Sequence, residues 1–361
     1  MKKLMYHLFA ILQIFADAGT VVNTSTGDVN AYTGAANNTN AMDGQLKTFY
    51  DTELLENARV EMFYAQFAKT QKLPANHGRT VEWRKWLTFE KAEQLKEGVI
   101  PSGQKFGSSY KTGVINQYGT YASISDVLEM HAYDPVILGA TEEMGASMAE
   151  TQETLIRDAL LVNTNVLYCD NLTVATGAVA GTPTSCAEME ATATVMSLLT
   201  PDMVSKAVAI MKKNRVPTIG GKYYAVIHPS VAYDLRKSEG WMEAHKYASV
   251  QEIKNGEIGE LHGCRFIENV FAPILDGDYV NKAGGVTYAT YFFGKDSFGI
   301  IDPDGGAAEM IIKDKTQVGG PLNQFSTVGY KLETNGATIL YPERLLRVMS
   351  CSSFSGTDEA N

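Results

Sequence analysis

The sequence predicts an α+β fold, and three observations carry the prediction. A single apolar stripe runs at helical spacing from Pro135 to Val162, two strand-like runs bracket Gly78 to Tyr121, and helix and strand patterns alternate from Thr200 onward before a strand-rich tail. With 361 residues, 45% of them hydrophobic, the chain can bury a substantial core and has room for two or three compact units.

In chain order, Leu4 to Phe15 follows Lys2-Lys3 and precedes Ala16-Asp17-Ala18, the outline of a secretory signal peptide. His7 and Gln13 interrupt that run and Tyr6, Phe9 and Phe15 are bulky, which fits a short amphipathic helix instead. Gly19 to Gly44 has almost no large apolar side chains and reads as a flexible arm, residues 1–45 in all. Leu46 to Ala68 has Leu54, Ala58, Met62 and Ala65 at helical spacing and ends before Leu73-Pro74, giving a helical segment over 46–77.

Residues 78–121 read as a long projecting hairpin. Thr80 to Arg84 alternates as a strand, Val114 to Tyr121 returns, and turn chemistry at Gly98, Pro101-Ser102-Gly103 and Gly107 lies between. Its aromatics Trp83, Trp86, Phe89, Phe106 and Tyr110 need a partner surface. Asp134-Pro135 sets the start of the long helix within a unit spanning 122–199. Ile137, Thr141, Met144, Met148, Leu155, Ala159 and Val162 form its stripe, and Glu142, Glu143, Glu150, Glu153 and Asp158 lie elsewhere on a rod on the order of 40 Å long. Asn171 to Thr194 reads as loop or weak strands.

A second unit, 200–296, opens with the helix cap Thr200-Pro201 and closes that helix at Lys213-Asn214. Strands are expected at Tyr223 to Ile227, Cys264 to Val270 and Val286 to Phe293, with a helix at Ser230 to Lys237. Residues 297–349 read as returning strands and 350–361 as a frayed end.

Charge and motifs narrow the function. Net charge is -10, from 31 Lys and Arg against 41 Asp and Glu, which argues against grip on nucleic acid by phosphate neutralisation. Cys169, Cys186, Cys264 and Cys351 show no paired spacing, so neither zinc nor a disulfide framework is signalled. Gly220-Gly221-Lys222 is no phosphate loop, because Tyr223 stands where Ser or Thr should hold magnesium. Gly145-Ala146-Ser147 lacks the strand and closing glycine of a nucleophile elbow. Asp302-Pro303-Asp304-Gly305 lacks the distal ligands of a calcium loop. The six histidines have no metal spacing, and His228-Pro229 reads as a structural corner. With no catalytic constellation and no cofactor set, the composition points away from an enzyme.

The order of features resembles the major capsid proteins of tailed bacteriophages with the HK97-like fold, and more closely the family named after the coat protein of phage N-four. The residues that carry the resemblance include Gly78, Thr80-Val81 and Arg84; Tyr118-Gly119-Thr120-Tyr121 and Ser125-Asp126; Ile227 to Leu235; Trp241 and Ala244 to Ala248; Asn255 to Gly259; Arg265 to Glu268; and Pro321-Leu322-Asn323-Gln324 with Thr327-Val328-Gly329. The resemblance implies an extended hairpin loop at 78–121, a peripheral domain with a spine helix, an axial domain at 200–296, and final strands returning to the peripheral domain. It implies self-assembly into hexamers and pentamers of an icosahedral shell around double-stranded DNA in the host bacterial cytoplasm, with scaffold, portal and decoration proteins as further partners. No cofactor, membrane or sequence-specific DNA contact is implied. An encapsulin-like nanocompartment is the sister reading. A secreted hydrolase or adhesin is the outside reading, supported by the N-terminal run and the sequons Asn23-Thr24-Ser25 and Asn37-Asn38-Thr39.

The charges add an expectation of their own. The hairpin is net positive, with Arg79, Arg84, Lys85, Lys91, Lys96, Lys105 and Lys111 against Glu82, Glu90, Glu93 and Glu97. The spine acids face only Arg157. An intersubunit contact is therefore expected between Trp83, Arg84, Lys85, Trp86, Lys96 and Lys105 of one copy and Glu142, Glu143, Glu150 and Glu153 of another.

Overall fold

The computed structural model describes Val21–Thr24, Gly27–Asn30, Ala36–Asn38 and residues 63–361, apart from 75, 93, 95–96, 99, 101–102, 133–134, 239–240, 242–256, 305–307 and 319–321. Contacts divide the chain into Met1–Ala58 and Arg59–Asn361. In the first unit, Val21–Thr24 (β1), Gly27–Asn30 (β2) and Ala36–Asn38 (β3) pair antiparallel in the order β1-β2-β3. The arm read as flexible thus contains a meander, because ladder hydrogen bonds need backbone groups and not apolar side chains. The expected signal segment and most of the helix over Leu46 to Ala68 lie outside the described residues; the last part of that helix is instead a single 3-10 turn at Tyr64–Phe67.

In the second unit, Lys69–Leu73 (β4) is followed by a hairpin of Thr80–Trp86 (β5) and Ser108–Val114 (β6), in register from Thr80↔Val114 to Trp86↔Ser108. The return strand is therefore β6 and not Val114 to Tyr121. The chain switches sheets at Ile115, which is buried, and the Arg79 guanidinium donates to the Ile115 carbonyl (Nη2 at 2.8 Å), fixing the bend. Beyond it, Asn116–Ser125 (β7) leaves the hairpin altogether. Ser125 caps a short helix, Asp126–His131 (α1), and Val136–Leu161 forms the long spine (α2).

Small strands Val166–Tyr168 (β8), Asn171–Thr173 (β9), Val179–Gly181 (β10) and Val195–Met196 (β11) precede helix Pro201–Lys213 (α3). The Thr200 hydroxyl accepts from the Met203 N–H at 3.4 Å, as its position before proline predicts. The glycine pair that mimics a phosphate loop is a tight hairpin turn. Gly220 and Gly221 both have positive φ, and Ile219 and Lys222 exchange backbone hydrogen bonds across it. Then come Tyr223–Ile227 (β12), Pro229–Lys237 (α4), Glu257–Leu261 (β13), Cys264–Glu268 (β14), Ile274–Leu275 (β15), Thr287–Phe293 (β16) and Phe298–Pro303 (β17). Ala308–Lys313 (β18), Lys315–Val318 (α5), Phe325–Thr334 (β19), Thr338–Ile339 (β20) and Leu345–Ser350 (β21) complete the chain. His228 caps α4, its Nδ1 accepting from the Ser230 N–H at 3.2 Å, so the His-Pro corner is structural.

A seven-stranded sheet in the order β13-β14-β12-β16-β21-β8, with β15 beside β16, forms the centre. Every residue of β16 is buried, which requires cover on both faces. Alternation assigns the cover. Ala225, Ile227, Phe292, Leu346 and Val348 pack with α3 and α4, whereas Val226, Tyr291, Phe293 and Leu345 pack with Tyr64, Phe67 and the Ile156 and Leu160 end of α2. This sheet draws on β8 and β21, so it crosses the segment limits expected at 200 and 296. Apart from the β5-β6 hairpin, this unit has three smaller sheets, β18-β19-β7, β20-β17-β4 and β10-β9-β11; β4, which sequence reading did not foresee as a strand, runs parallel to β17.

Two further expectations are corrected. The stripe from Ile137 to Ala159 is only half-buried and Val162 is exposed, while the buried face of α2 is Glu153, Ile156, Arg157 and Leu160. And 350–361 is not frayed. Cys351 and Ser352 are buried, Tyr288 donates to Asp358 at 2.7 Å, Ser230 and Ser355 also donate to Asp358, and the Ile274 N–H donates to the Asn361 side chain at 3.0 Å. These bonds hold the Asp358 carboxyl below its ordinary range, the Ser355 hydroxyl contributing most.

Candidate assembly surface

Alternation along β5 separates two tryptophans. Trp83 turns inward and is half-buried. Its ring lies so close to Gly113 and Gly299 that a Cβ at either position would stand 2.7 Å or 2.9 Å from it, so both glycines are there for the indole. Trp83 therefore anchors the hairpin to its own chain and is withdrawn from the expected intersubunit contact. Trp86 turns outward, 68% exposed, and stacks on Phe106 with centroids 4.4 Å apart; Phe89 stacks on the same ring at 5.3 Å. All three rings are more than half exposed, as are Tyr110 and the aliphatic Leu87 and Ile100. Stacking within one hairpin aligns these rings into a ladder without hiding it from solvent.

Basic residues neighbour this ladder in sequence. Arg84 is exposed and reaches Glu82 at 3.7 Å, Lys85 lies 4.6 Å from the centre of the Tyr341 ring, and Lys105 is exposed. Lys96 lies outside the described residues. On α2, Glu142, Glu143 and Glu150 are exposed as expected. Glu153 is not: it is fully buried, one carboxylate oxygen accepting from the Phe63 N–H (3.0 Å), the Tyr64 N–H (3.2 Å) and the Asn269 side chain (3.1 Å). It ties the 3-10 turn, the spine and the end of β14 together, and burial pushes its carboxyl up against the lowering effect of those bonds. Glu153 is therefore corrected from an intersubunit acid to an internal clasp. Arg157, also buried, pairs with Asp158 at 2.8 Å.

Sequence reading missed Arg215, Arg344 and Tyr341, which the fold brings to the base of the hairpin beside Arg84 and Lys85 around a groove of about 440 Å³. No local signal marks them, because three separate segments supply them. Among the described residues, no three His, Cys, Asp or Glu side chains gather as a metal set, and no helix is long and apolar enough to cross a membrane.

A projecting hairpin with an exposed aromatic ladder, a long spine and a central sheet with a strand buried on both faces define the architecture of this unit. The family model for phage capsid proteins matches residues 110–340, well over half of the chain. This chain belongs to the phage capsid protein family. Its fold is HK97-like, similar to the capsid of cyanophage P-SCSP1u (TM-score 0.61, 17% identity, covering 89% of this chain and 98% of that one). It is likewise similar to the capsid of cyanophage Pam1 (0.67, 12%, 87% and 98%) and to the SrpI encapsulin complex of Synechococcus elongatus PCC 7942 (0.54, 10%, 88% and 98%). No curated protein sequence matches. The capsid protein is a structural subunit of a homo-oligomeric head shell, a component of the virion.

Proposed function

We propose that this capsid protein builds its shell by laying the hairpin of one copy on the spine of the next, in hexamers and pentamers that enclose double-stranded DNA and assemble in the host cytoplasm with scaffold, portal and decoration proteins. The supporting observation is the aromatic ladder of Trp86, Phe89 and Phe106, whose rings stay more than half exposed and which lies next in sequence to Arg84, Lys85 and Lys105. The exposed Glu142, Glu143 and Glu150 of α2 offer the opposite charge. Each exposed ion pair contributes about 0 to 1 kcal/mol, and burial of the rings adds to each repeat of the contact. Arg84→Glu with Lys85→Glu is expected to block shell formation while the subunit stays folded, and high salt to slow early assembly. Normal particle yield and an unchanged salt response in that variant would overturn the pairing.

The same fold in an encapsulin complex supports a second reading, a shell around protein cargo. Nucleic acid in purified particles favours the phage shell; a packaged enzyme favours the other.

A further inference from the structure

We infer that the groove at the base of the hairpin is a socket for carboxylates from a second copy of this chain, an inference that rests on the shell reading. Arg84 and Lys85 reach it from β5, Arg215 from the end of α3, and Arg344 from the turn before β21, with Glu343 as the single acid in the lining. Four cations and one anion line the groove, and Glu82 beside it reaches Arg84 at 3.7 Å, so the site stays net positive in a chain whose total is -10. Positive charges gathered from three segments repel one another, and a negative partner seated among them relieves that cost.

The groove is also ordered for such a partner. Tyr341 carries two of the cations on its ring, Arg344 at 3.7 Å and Lys85 at 4.6 Å from the centroid. Arg344 is further fixed by donating to the Lys295 carbonyl at 3.0 Å. A guanidinium held in place loses little freedom when it grips a carboxylate with both arms. A space of about 440 Å³ admits one or two acidic side chains but not a duplex. A nucleic-acid backbone would need a line of cations, whereas this cluster is compact and the rest of the chain repels phosphate. Because the chain assembles with copies of itself and carries 41 Asp and Glu, its own surface is the abundant source of carboxylates.

The test uses shells assembled from an equal mixture of light and heavy-isotope chains and treated with a water-soluble carbodiimide, which joins the Lys85 amine to a carboxylate it touches. Mass spectrometry should find mixed-isotope peptides linking Lys85 to an Asp or Glu of another copy. Arg215→Asn, which suits the positive φ at that position, and Arg344→Gln, which removes the guanidinium charge, should each lower that product about tenfold and raise the subunit concentration needed for assembly, with unchanged circular dichroism. Links of Lys85 only to Glu82 or Glu343 of its own chain, or unchanged cross-linking and assembly in both variants, would overturn the socket while leaving the shell intact. Protection of Lys85 found only in particles that hold nucleic acid would assign the groove to phosphate and overturn it as well. Failure of the wild-type chain to form any particle would remove the shell reading and the socket with it.

Discussion

The central sheet and the projecting hairpin are both rich in aromatic residues, yet they treat them in opposite ways. In β16, Tyr288, Tyr291, Phe292 and Phe293 are all buried, because α3 and α4 cover one face and α2 with Tyr64 and Phe67 covers the other. In the hairpin, Trp86, Phe89, Phe106 and Tyr110 remain more than half exposed, and only Trp83 finds a seat in its own chain. Aromatic content thus does not decide burial; the presence of a covering layer does. The sheet stores the stability of the subunit, and the hairpin leaves its apolar surface open to solvent.

Truncating one ring in each region separates the two roles. Phe292→Ala should destabilise the dissociated subunit by about 3 to 5 kcal/mol in urea unfolding. Trp86→Ala should change the same midpoint by less than about 0.5 kcal/mol while sharply reducing shell yield. Equal destabilisation by the two changes would show that the hairpin belongs to the core.

A second pair of substitutions compares two acids on one helix. Glu153→Ala leaves the Phe63 and Tyr64 N–H groups without their acceptor, so a loss of about 3 kcal/mol is expected. Glu150→Ala, on the exposed face, should lie within about 0.5 kcal/mol of the parent in the same melt.

The burial of Glu153 also shows in its titration. Its folded carboxyl holds a proton more tightly than the unfolded one, so stability should fall as pH rises from the ordinary glutamate value of about 4.3 to its raised folded value, and level off beyond. Glu153→Gln keeps an acceptor oxygen and removes the charge. It should abolish that slope and match or exceed the parent at neutral pH; a parent and variant with parallel pH profiles would refute the assignment.

The smallest effect is expected at the C-terminal segment. Asp358 has a lowered value, so its contribution is present above the unfolded aspartate range and lost as pH falls through the folded value. Asp358→Asn should speed amide exchange over residues 352–361 at neutral pH with little change in global melting, and identical exchange would show that the clasp is idle.

What the sequence revealed followed from how local each signal was. The Thr200-Pro201 cap, the buried strand at Tyr223 to Ile227 and the His228-Pro229 corner each rest on chemistry within a few residues, and the structure places all three as expected. The register of the hairpin was less legible, because Ser108 to Val114 has few strand formers and wins its pairing through contact with β5. Glu153 and Glu150 cannot be told apart from their neighbours in sequence: only the distant Phe63, Tyr64 and Asn269 make one an internal acceptor. The same holds for Trp83 and Trp86, whose fates depend on Gly299, and for the groove that joins Arg84 to Arg215 and Arg344.

The parallel pairing of β8 with β21 has a consequence in time. Val166 pairs with Arg347, which leaves the ribosome about 180 residues later, and at about 5 to 20 residues per second that is a delay of roughly 10 to 40 s. The hairpin emerges long before this, its aromatic ladder already bare. The central sheet cannot close until almost the whole chain is made. Synthesis of the last strand therefore sets the earliest moment at which a subunit is complete, well after its hairpin has been made.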